Sequence, residues 1–359
     1  MEKRLMAFTM KDIAKIAGVS RQAVAAALGD TGTSKVSEKT RQRVRAIAEK
    51  LHYVPNQNAK RLRGGSSNMI GIYGVPYVSV LEQSLFLELS VELSRHGYNL
   101  TASYGWGEKA SEQAIRNLLS HGVDGVIVTT MENPMTKFEL DNVPYVFSPT
   151  AEVEGFDVVV DHAAGTREAM KALIAAGRKS TVFLAPTFMG GFYEEANRQK
   201  YKGIVEELKK IGVTPTILTV EENGGEGAVI VERLRQMAPD ILFCINDYFA
   251  GRMESLLLAA GIRVPDDIMV IGYDGLSICD MCAVPLSTVV QPLKKRAEIA
   301  VQLLLERIKE GNRSPEPAGI RLPSYFYPSA SCGFTNEKTQ KLPLYNSFSM
   351  METNWENRL

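Results

Sequence analysis

The sequence predicts two structural classes in one chain, a small all-α head followed by a larger α/β body with parallel, doubly wound sheets. Three observations support this. Short helical patterns with capping residues occupy residues 1–54, and a basic segment follows at 55–65. From residue 66 onward, short apolar runs alternate with helical patterns, which is typical of strands buried between two layers of helices.

Length and composition predict a globular protein of the cytoplasm. A chain of 359 residues, 45% of them hydrophobic, is long enough for two or three domains with full cores. No stretch approaches the roughly 18 consecutive apolar residues of a membrane span, and the N-terminus shows no apolar signal-peptide core. Four cysteines do not make a disulfide framework, which agrees with a reducing compartment.

The net charge of zero conceals a division between head and body. Residues 1–65 hold 14 basic and 5 acidic residues, a net charge of +9, so the other 27 basic and 36 acidic residues give −9. A basic head on an acidic body favours a nucleic-acid-binding module attached to a domain with another task. A basic surface that is merely solvated is the alternative.

The stretch "FTMKDIAKIAGVSRQAVAAALGD" predicts two short helices. Thr9 caps the first helix, with Asp12 completing a variant of the capping box, and Gly18 ends it. Ser20 caps the second helix, over residues 21–28. Two such helices joined by a turn containing glycine form a helix-turn-helix unit.

The second helix of this unit enters the major groove of DNA with its N-terminal residues at the base edges. Arg21 and Gln22 lie at that end. Their chemistry suits base reading, because arginine pairs with guanine and glutamine pairs with adenine through two hydrogen bonds. A third helix follows, capped by Ser37, with one apolar stripe that ends near Tyr53.

The stretch "TMKDIAKIAGVSRQAVAAALGDTGTSKVSEKTRQRVRAIAEKLHYVPNQNAKRLRGGSSNMIGI" resembles the headpiece and hinge of the lactose/galactose repressor family of bacterial transcription factors. In that family the hinge becomes helical only on operator DNA, and a leucine seven residues past a proline enters a minor-groove base step. Leu62 is the seventh residue after Pro55. The resemblance implies DNA contacts for eight residues of the head and hinge: Thr9, Arg21, Gln22, Ser37, Thr40, Asn56, Leu62 and Arg63.

The residues around Leu62 agree with the role that the resemblance implies. Leu62 stands between Arg61 and Arg63 with no apolar face to join, so an outside partner is expected. An apolar wedge that partly unstacks one base step, with Arg63 beside it in the groove, fits this pattern. Packing of Leu62 on the head or body is the alternative.

The reading helix departs from the family pattern. Ala23, Ala25 and Ala26 stand where members commonly carry phosphate-contacting hydroxyls and a base-reading side chain. We therefore expect weaker or differently distributed readout, although alanine can still contact a thymine methyl group.

In the body, "VDGVIVTT", "VPYVFS", "STVFLAP", "DILFCIND" and "DIMVIGYDG" predict buried parallel strands. The resemblance continues to about Gly333 and implies the periplasmic-binding-protein-like fold, with the chain crossing between two lobes three times. Clefts between such lobes are preferred small-molecule sites. The expected bounds are 66–163 plus 292–324 for lobe one and 164–291 plus 325–333 for lobe two, with a tail at 334–359.

Four residues are predicted to bind an effector in the cleft. Asn246 and Asp274 match the family's Asn-Asp and Gly-Tyr-Asp segments, and both follow predicted strands. Lys200 stands three residues before a glycine, where an arginine is usual, so the charge is kept without the bidentate fork. Ser148 stands where a hydrogen-bonding residue contacts ligand in some members. A purely structural role for each of the four is the alternative.

Other motifs are weaker. "GWGEKA" fits a dinucleotide-binding pattern without a convincing acidic partner, and "CDMC" lacks a second cysteine pair or a nearby histidine to complete a metal site. No nucleophile elbow or phosphate loop occurs in the sequence. We therefore expect no cofactor, no metal and no catalysis.

The sequence thus predicts a homodimeric repressor that binds pseudo-palindromic operator DNA and is controlled by a small-molecule effector, a carbohydrate or related metabolite. A cytoplasmic small-molecule receptor without sequence-specific DNA readout is the first alternative, and an enzyme on the same fold is the second. The polar tail shows no sustained heptad pattern that would indicate a tetramerisation helix.

Overall fold

The computed structural model describes residues 8–28, 36–51, 53, 66–74, 79–139, 143–186, 192–220, 227–311 and 316–334. The chain divides into two compact units, with the boundary between Ser67 and Asn68. The hinge residues Asn56, Leu62 and Arg63 and the C-terminal tail lie outside the described residues.

The head contains the three predicted helices, α1 (Met10–Ala17), α2 (Arg21–Leu28) and α3 (Glu38–Lys50). Their apolar faces meet in one small core of fully buried or nearly buried side chains: Ile13, Ala14, Ala17, Val24, Ala27, Val44 and Ala48. Because each helix is short, this shared core stabilises helices that would be marginal in isolation.

The predicted caps are present. The Asp12 carboxylate accepts hydrogen bonds from the backbone N–H of Thr9 at 2.8 Å and from its hydroxyl at 2.7 Å, which completes the capping box. Gly18 ends α1 with φ 62°, a left-handed conformation that favours glycine. Ser37 caps α3.

The first lobe is built on a four-stranded parallel sheet, in the order β2-β1-β3-β4. Alternate strand residues face opposite sides, so Ile127 packs with one layer of helices while Val126 and Val128 pack with the other. In chain order the elements are β1 (Met69–Tyr73), α4 (Val80–Arg95), β2 (Asn99–Ser103), α5 (Glu108–Ser120), β3 (Gly125–Val128), α6 (Pro134–Lys137), β4 (Tyr145–Phe147) and β5 (Val158–Asp161).

The second lobe is built on a six-stranded sheet, in the order β12-β10-β9-β8-β6-β7. Its elements are α7 (His162–Ala175), β6 (Thr181–Pro186), α8 (Phe192–Lys209), β7 (Thr216–Val220), α9 (Gly227–Met237), β8 (Ile241–Cys244), α10 (Asp247–Ala259), β9 (Met269–Asp274), a short 3-10 helix (Ser277–Asp280) and β10 (Ser287–Val290). The sequence-predicted strands of this lobe are confirmed.

Three further elements complete the body, α11 (Leu293–Glu310), β11 (Ile320–Pro323) and β12 (Tyr325–Tyr327). Helix α11 packs on the first lobe and β11 pairs with β5, whereas β12 pairs with β10 of the second lobe. The chain therefore passes between the lobes three times, after β5, after β10 and after β11. The predicted fold class, a helix-turn-helix head and a two-lobed α/β body, is confirmed.

Strand β12 differs from the all-parallel expectation, because it runs antiparallel to β10. It enters the second sheet directly from the crossing at Ser324, with no helix that would return the chain to a parallel direction. The Ser324 hydroxyl donates to the Asp161 carbonyl at 2.7 Å and accepts from the Gly165 N–H at 3.0 Å. This side chain thus ties the first crossing to the third.

Among the described residues, no helix combines the length and the apolar composition that crossing a bilayer requires.

Candidate functional site

The head exposes polar residues at the N-terminus of each helix. Thr9 caps α1, Arg21 and Gln22 occupy the first turn of α2, and Ser37 and Thr40 begin α3. All five are exposed except Thr40, which is partly buried. Helix N-termini carry unpaired N–H groups and partial positive charge, so these positions suit phosphate oxygens.

Helix α2 is held in place by two arginines of α3. Arg41 and Arg45 of α3 donate to the carbonyls of Ala26 and Ala27 at 3.5 and 3.3 Å. Cations near a helix C-terminus satisfy its free carbonyls and its dipole. These two arginines therefore orient the reading helix.

The body brings three of the four predicted effector residues together in the second lobe. Lys200 of α8 and Asp274 at the end of β9 form a buried ion pair, with 3.7 Å between Nζ and Oδ1. The Lys200 ammonium donates to the Ile245 carbonyl at 2.9 Å and lies 4.2 Å from the centre of the Tyr273 ring. Asn246 follows Ile245 in the chain and caps α10, because its side-chain Oδ1 accepts a hydrogen bond from the Phe249 N–H at 2.8 Å.

Local packing explains why Lys200 reaches this position. Gly203, one turn later, lies against α7, where a Cβ atom would overlap the Thr166 side chain and the Ala163 carbonyl. Burial lowers the pKa of the Lys200 ammonium, and the Asp274 carboxylate opposes that shift. The ammonium is directed at protein groups, so its predicted contact with an effector stays a prediction.

Ser148 lies in the first lobe, apart from the other three. Its hydroxyl donates to the Val158 carbonyl at 2.9 Å and accepts from Arg296 Nε at 2.9 Å. Arg296 Nη2 donates to the carbonyls of Ser148 at 2.5 Å and Pro149 at 2.8 Å. Ser148 therefore holds the loop after β4 to α11.

A small cavity lies mainly in the first lobe, at its boundary with the second, and none of the four predicted effector residues lines it. Its volume is about 20 Å³, and its lining consists of Leu81, Glu82, Leu85, Thr129, Thr150, Gln291, Leu293 and Arg296. On one side, Gln291 donates to Asp274 Oδ1 at 2.8 Å. On the other side, Arg296 binds Ser148. Gln291 therefore links the cavity to Asp274 of the second lobe, and Arg296 links it to Ser148 of the first lobe.

His162 fastens the lobes beside this cavity. Its Nε2 donates to the Thr150 carbonyl at 2.7 Å, and its Nδ1 lies 2.9 Å from the Tyr273 hydroxyl. Burial lowers the pKa of His162 to about 3, so the imidazole is neutral. It acts here as a fixed hydrogen-bonding link.

Glu82, in the first turn of α4, is a buried acidic residue of the cavity lining. It is 8% exposed, and burial raises its pKa to about 7, against the opposing effect of Arg296. The sequence reading missed Glu82, Arg296 and Gln291. No local pattern marks them, because they meet only when α4, α11 and the crossing after β10 pack together.

The pKa of Glu82 makes stability depend on pH. The ordinary carboxyl pKa is near 4.5, so between pH 4.5 and 7 the folded chain binds more protons than the unfolded chain. The free energy of unfolding therefore decreases as pH rises through this window. We expect Glu82→Gln to stabilise the protein by roughly 1–3 kcal/mol more at pH 8 than at pH 5 in urea unfolding. A difference independent of pH would contradict this assignment.

Other candidate chemistry is weaker. Burial raises the pKa of the Cys282 thiol to about 12, so this cysteine is a poor nucleophile. Within the described ranges, no group of three or more metal-ligating side chains is present. Wider hollows of about 360 and 490 Å³ lie elsewhere on the body, lined by residues that include the exposed pairs Glu152–Arg321 and Lys295–Glu298.

Fold and site together define a DNA-binding transcriptional regulator with a periplasmic-binding-protein-like domain. Residues 9–56 match the family of bacterial regulatory proteins, lacI family, and residues 170–329 match the periplasmic binding protein-like domain. The chain therefore carries a DNA-binding domain of the lacI family together with a periplasmic-binding-protein-like domain.

Curated relatives extend over most of the chain. The ribose operon repressor of Haemophilus influenzae is 28% identical over 322 residues, which cover 85% of this chain and 93% of that protein. The transcriptional regulator DegA of Bacillus subtilis is 28% identical, with 81% and 88% covered. The transcriptional repressor PurR of Vibrio vulnificus is 27% identical, with 84% and 92% covered.

Solved structures share the fold. The lac repressor dimer bound to operator and the anti-inducer ONPF aligns with a TM-score of 0.77 at 23% identity, covering 91% of this chain and 99% of that one. The complex of the transcriptional regulator CelR with cellobiose aligns with a TM-score of 0.61 at 23% identity, covering 90% and 99%.

Proposed function

We propose that this protein represses transcription by binding a pseudo-palindromic operator as a homodimer, and that a small-molecule effector bound between the lobes controls its operator affinity. One observation carries the proposal. A capped helix-turn-helix head shares a chain with a two-lobed α/β body that has a small cavity beside the lobe junction. The ribose operon repressor and the operator-bound lac repressor dimer support it.

The domains divide this work. Residues 1–54 form the DNA-binding headpiece, 55–65 the hinge, and 66–333 the effector-binding and dimerisation domain. Arg21 and Gln22 read bases, while Thr9, Ser37 and Thr40 position the head on phosphates. The protein works in the cytoplasm, where bacterial chromosomal DNA lies.

Control follows from the hydrogen bonds that His162 makes at the lobe junction. His162 joins the Thr150 carbonyl of the first lobe to the Tyr273 hydroxyl of the second lobe, so a change in the relative position of the lobes would break one of these two bonds. An effector that binds one position more tightly than another shifts the populations toward it. Coupling to the hinge then changes operator affinity, and operator binding must change effector affinity by the same factor.

The hinge contributes DNA contacts from Asn56, Leu62 and Arg63. With Leu62 as a minor-groove wedge, Leu62→Ala is expected to weaken operator binding and reduce the bend angle of the DNA, because the unstacking that kinks the duplex is lost. Anisotropy titration and circular-permutation gel shift measure the two effects. Unchanged affinity together with an unchanged bend would contradict the wedge.

A receptor without sequence-specific readout is the second candidate. Ala23, Ala25 and Ala26 favour it, since three alanines in α2 remove polar groups from the reading helix. Catalysis is not part of the proposal, because no nucleophile with an adjacent base is found among the described residues around the cavity, and the family consists of regulators.

Binding selection from genomic fragments separates the candidates. The proposed repressor should enrich a short palindrome, and Arg21→Ala together with Gln22→Ala should abolish the enrichment. Absence of enrichment with the wild-type protein, under salt conditions where it still binds sugars, would favour the receptor.

A further inference from the structure

The side chain of Gln199 joins the second lobe to the first. Gln199 lies on α8, where its Oε1 accepts a hydrogen bond from the Glu152 N–H at 3.2 Å and its Nε2 donates to the Glu152 carbonyl at 3.2 Å. Glu152 belongs to the segment between β4 and β5 of the first lobe. One side-chain amide thus pairs with both backbone groups of one residue, which requires a donor and an acceptor at the end of the same side chain.

Both ends of this contact are fixed within their own lobes. The Glu152 carboxylate accepts two hydrogen bonds from Arg321 of β11, at 2.9 and 2.7 Å, and the Arg321 guanidinium lies 4.9 Å from the centre of the Phe156 ring. In the second lobe, Nε2 of Gln199 also donates to Glu195, one turn earlier on α8, at 3.1 Å. A movement of one lobe relative to the other therefore acts directly on the two bonds between Gln199 and Glu152.

The place of the contact along the chain distinguishes it from the Ser324 tie. Ser324 lies at the third crossing and binds Asp161 and Gly165 at the first crossing, where a rotation of the lobes about the crossings produces small displacements. Gln199 and Glu152 lie outside all three crossings. The same rotation therefore separates Gln199 from Glu152 while the Ser324 bonds stay in place.

Solvent exposure makes the contact reversible. Glu152 is exposed and Gln199 is half-buried, whereas Ser324 is buried. When Gln199 and Glu152 separate, water can bind the donor and the acceptor that each of them loses. Opening therefore avoids the desolvation penalty that an unpaired buried polar group would carry.

We propose that Gln199 is a lobe-positioning residue, whose amide holds the lobes in one relative position and whose release from Glu152 lets them rotate about the crossings. This role rests on the proposed control of operator affinity by an effector, and it names one contact through which that control acts. Loss of the two hydrogen bonds shifts the balance between the held and the released positions by about 10-fold. Operator affinity therefore changes in a protein without this contact, even when no effector is bound.

Hydrogen exchange of the full-length protein, followed by mass spectrometry, tests the contact without DNA. Gln199→Met keeps the length of the side chain and removes both bonds, so the amide of Glu152 should exchange about 10-fold faster. The amide of Gly165, which donates to Ser324 between the crossings, should exchange at the wild-type rate. General destabilisation of the body would accelerate both amides, so this pair separates lobe rotation from unfolding.

Two further variants provide the controls. Gln236 of α9 donates to Glu232, four residues earlier, as Gln199 donates to Glu195. Gln236→Met should therefore leave both the exchange at Glu152 and the operator affinity unchanged. Gln199→Glu keeps an acceptor, loses the donor and places a negative charge beside the acidic side chain of Glu195, so it should release the lobes at least as strongly as Gln199→Met.

Anisotropy titration of the selected palindrome, without any effector, tests the consequence for DNA binding. Gln199→Met should change operator affinity at least about 5-fold relative to the wild-type protein, with unchanged thermal unfolding. Wild-type exchange at Glu152, equal acceleration at Glu152 and Gly165, or unchanged operator affinity would each overturn the role of Gln199. If the wild-type protein selects no palindrome, the DNA-binding proposal fails, and the exchange rates still decide whether Gln199 holds the lobes.

Discussion

Arg307→Met is expected to lower the free energy of unfolding of the body by about 3–5 kcal/mol, because it leaves a buried carboxylate without its counter-ion. Arg307, near the end of α11, binds both carboxylate oxygens of Asp157 at 2.8 and 2.6 Å and the Tyr145 carbonyl at 2.7 Å. Asp157 also accepts from the N–H groups of Phe147 and Ala318. All these bonds converge on the ends of β4 and β5.

Urea unfolding followed by circular dichroism measures this loss. Arg321→Met is the matched control, since Arg321 pairs with Glu152 through two bonds at the exposed surface and its removal should change stability far less. Similar losses in the two variants would contradict the assignment of Arg307 as the structural link between α11 and the first lobe.

Arg21→Ala is expected to weaken operator binding by about 1–3 kcal/mol and to relax specificity at one base position in each half-site. Arg21 is exposed in the first turn of α2 and is not part of the head core, so its replacement by alanine should not unfold the head. The loss should therefore appear in DNA binding and leave the thermal unfolding of the protein unchanged.

Lys39→Ala provides the comparison. Lys39 is exposed in the first turn of α3, so a contact with DNA from this residue would be to phosphate. Lys39→Ala should weaken binding to all DNA sequences by the same factor, without relaxing specificity at any base position. If Arg21→Ala also weakened every sequence uniformly, Arg21 would be a phosphate contact and not a base reader.

The head could be predicted almost completely from the sequence, because its signals are local. Capping at Thr9 and Ser37 and the left-handed glycine at Gly18 define helix ends within a few residues. The roles of Arg41 and Arg45 could not be predicted. Their bonds to carbonyls of α2 depend on the angle at which α3 crosses it.

The cleft was predictable only in part. Asn246 and Asp274 follow strands, and parallel strands place their carboxyl ends at one edge, so their proximity could be inferred. The sequence gives no sign that Lys200 would be held by Ile245 and Tyr273, nor that Ser148 would be held by Arg296. These contacts join segments that are far apart in the chain.

The most direct test of ligand-controlled operator binding is an anisotropy titration of the selected palindrome at one fixed salt concentration, with and without a candidate effector from the sugars and related metabolites. A saturating effector is expected to change operator affinity at least about 5-fold, and saturating operator DNA is expected to change effector affinity by the same factor. Equal operator affinity with and without bound effector would contradict effector control.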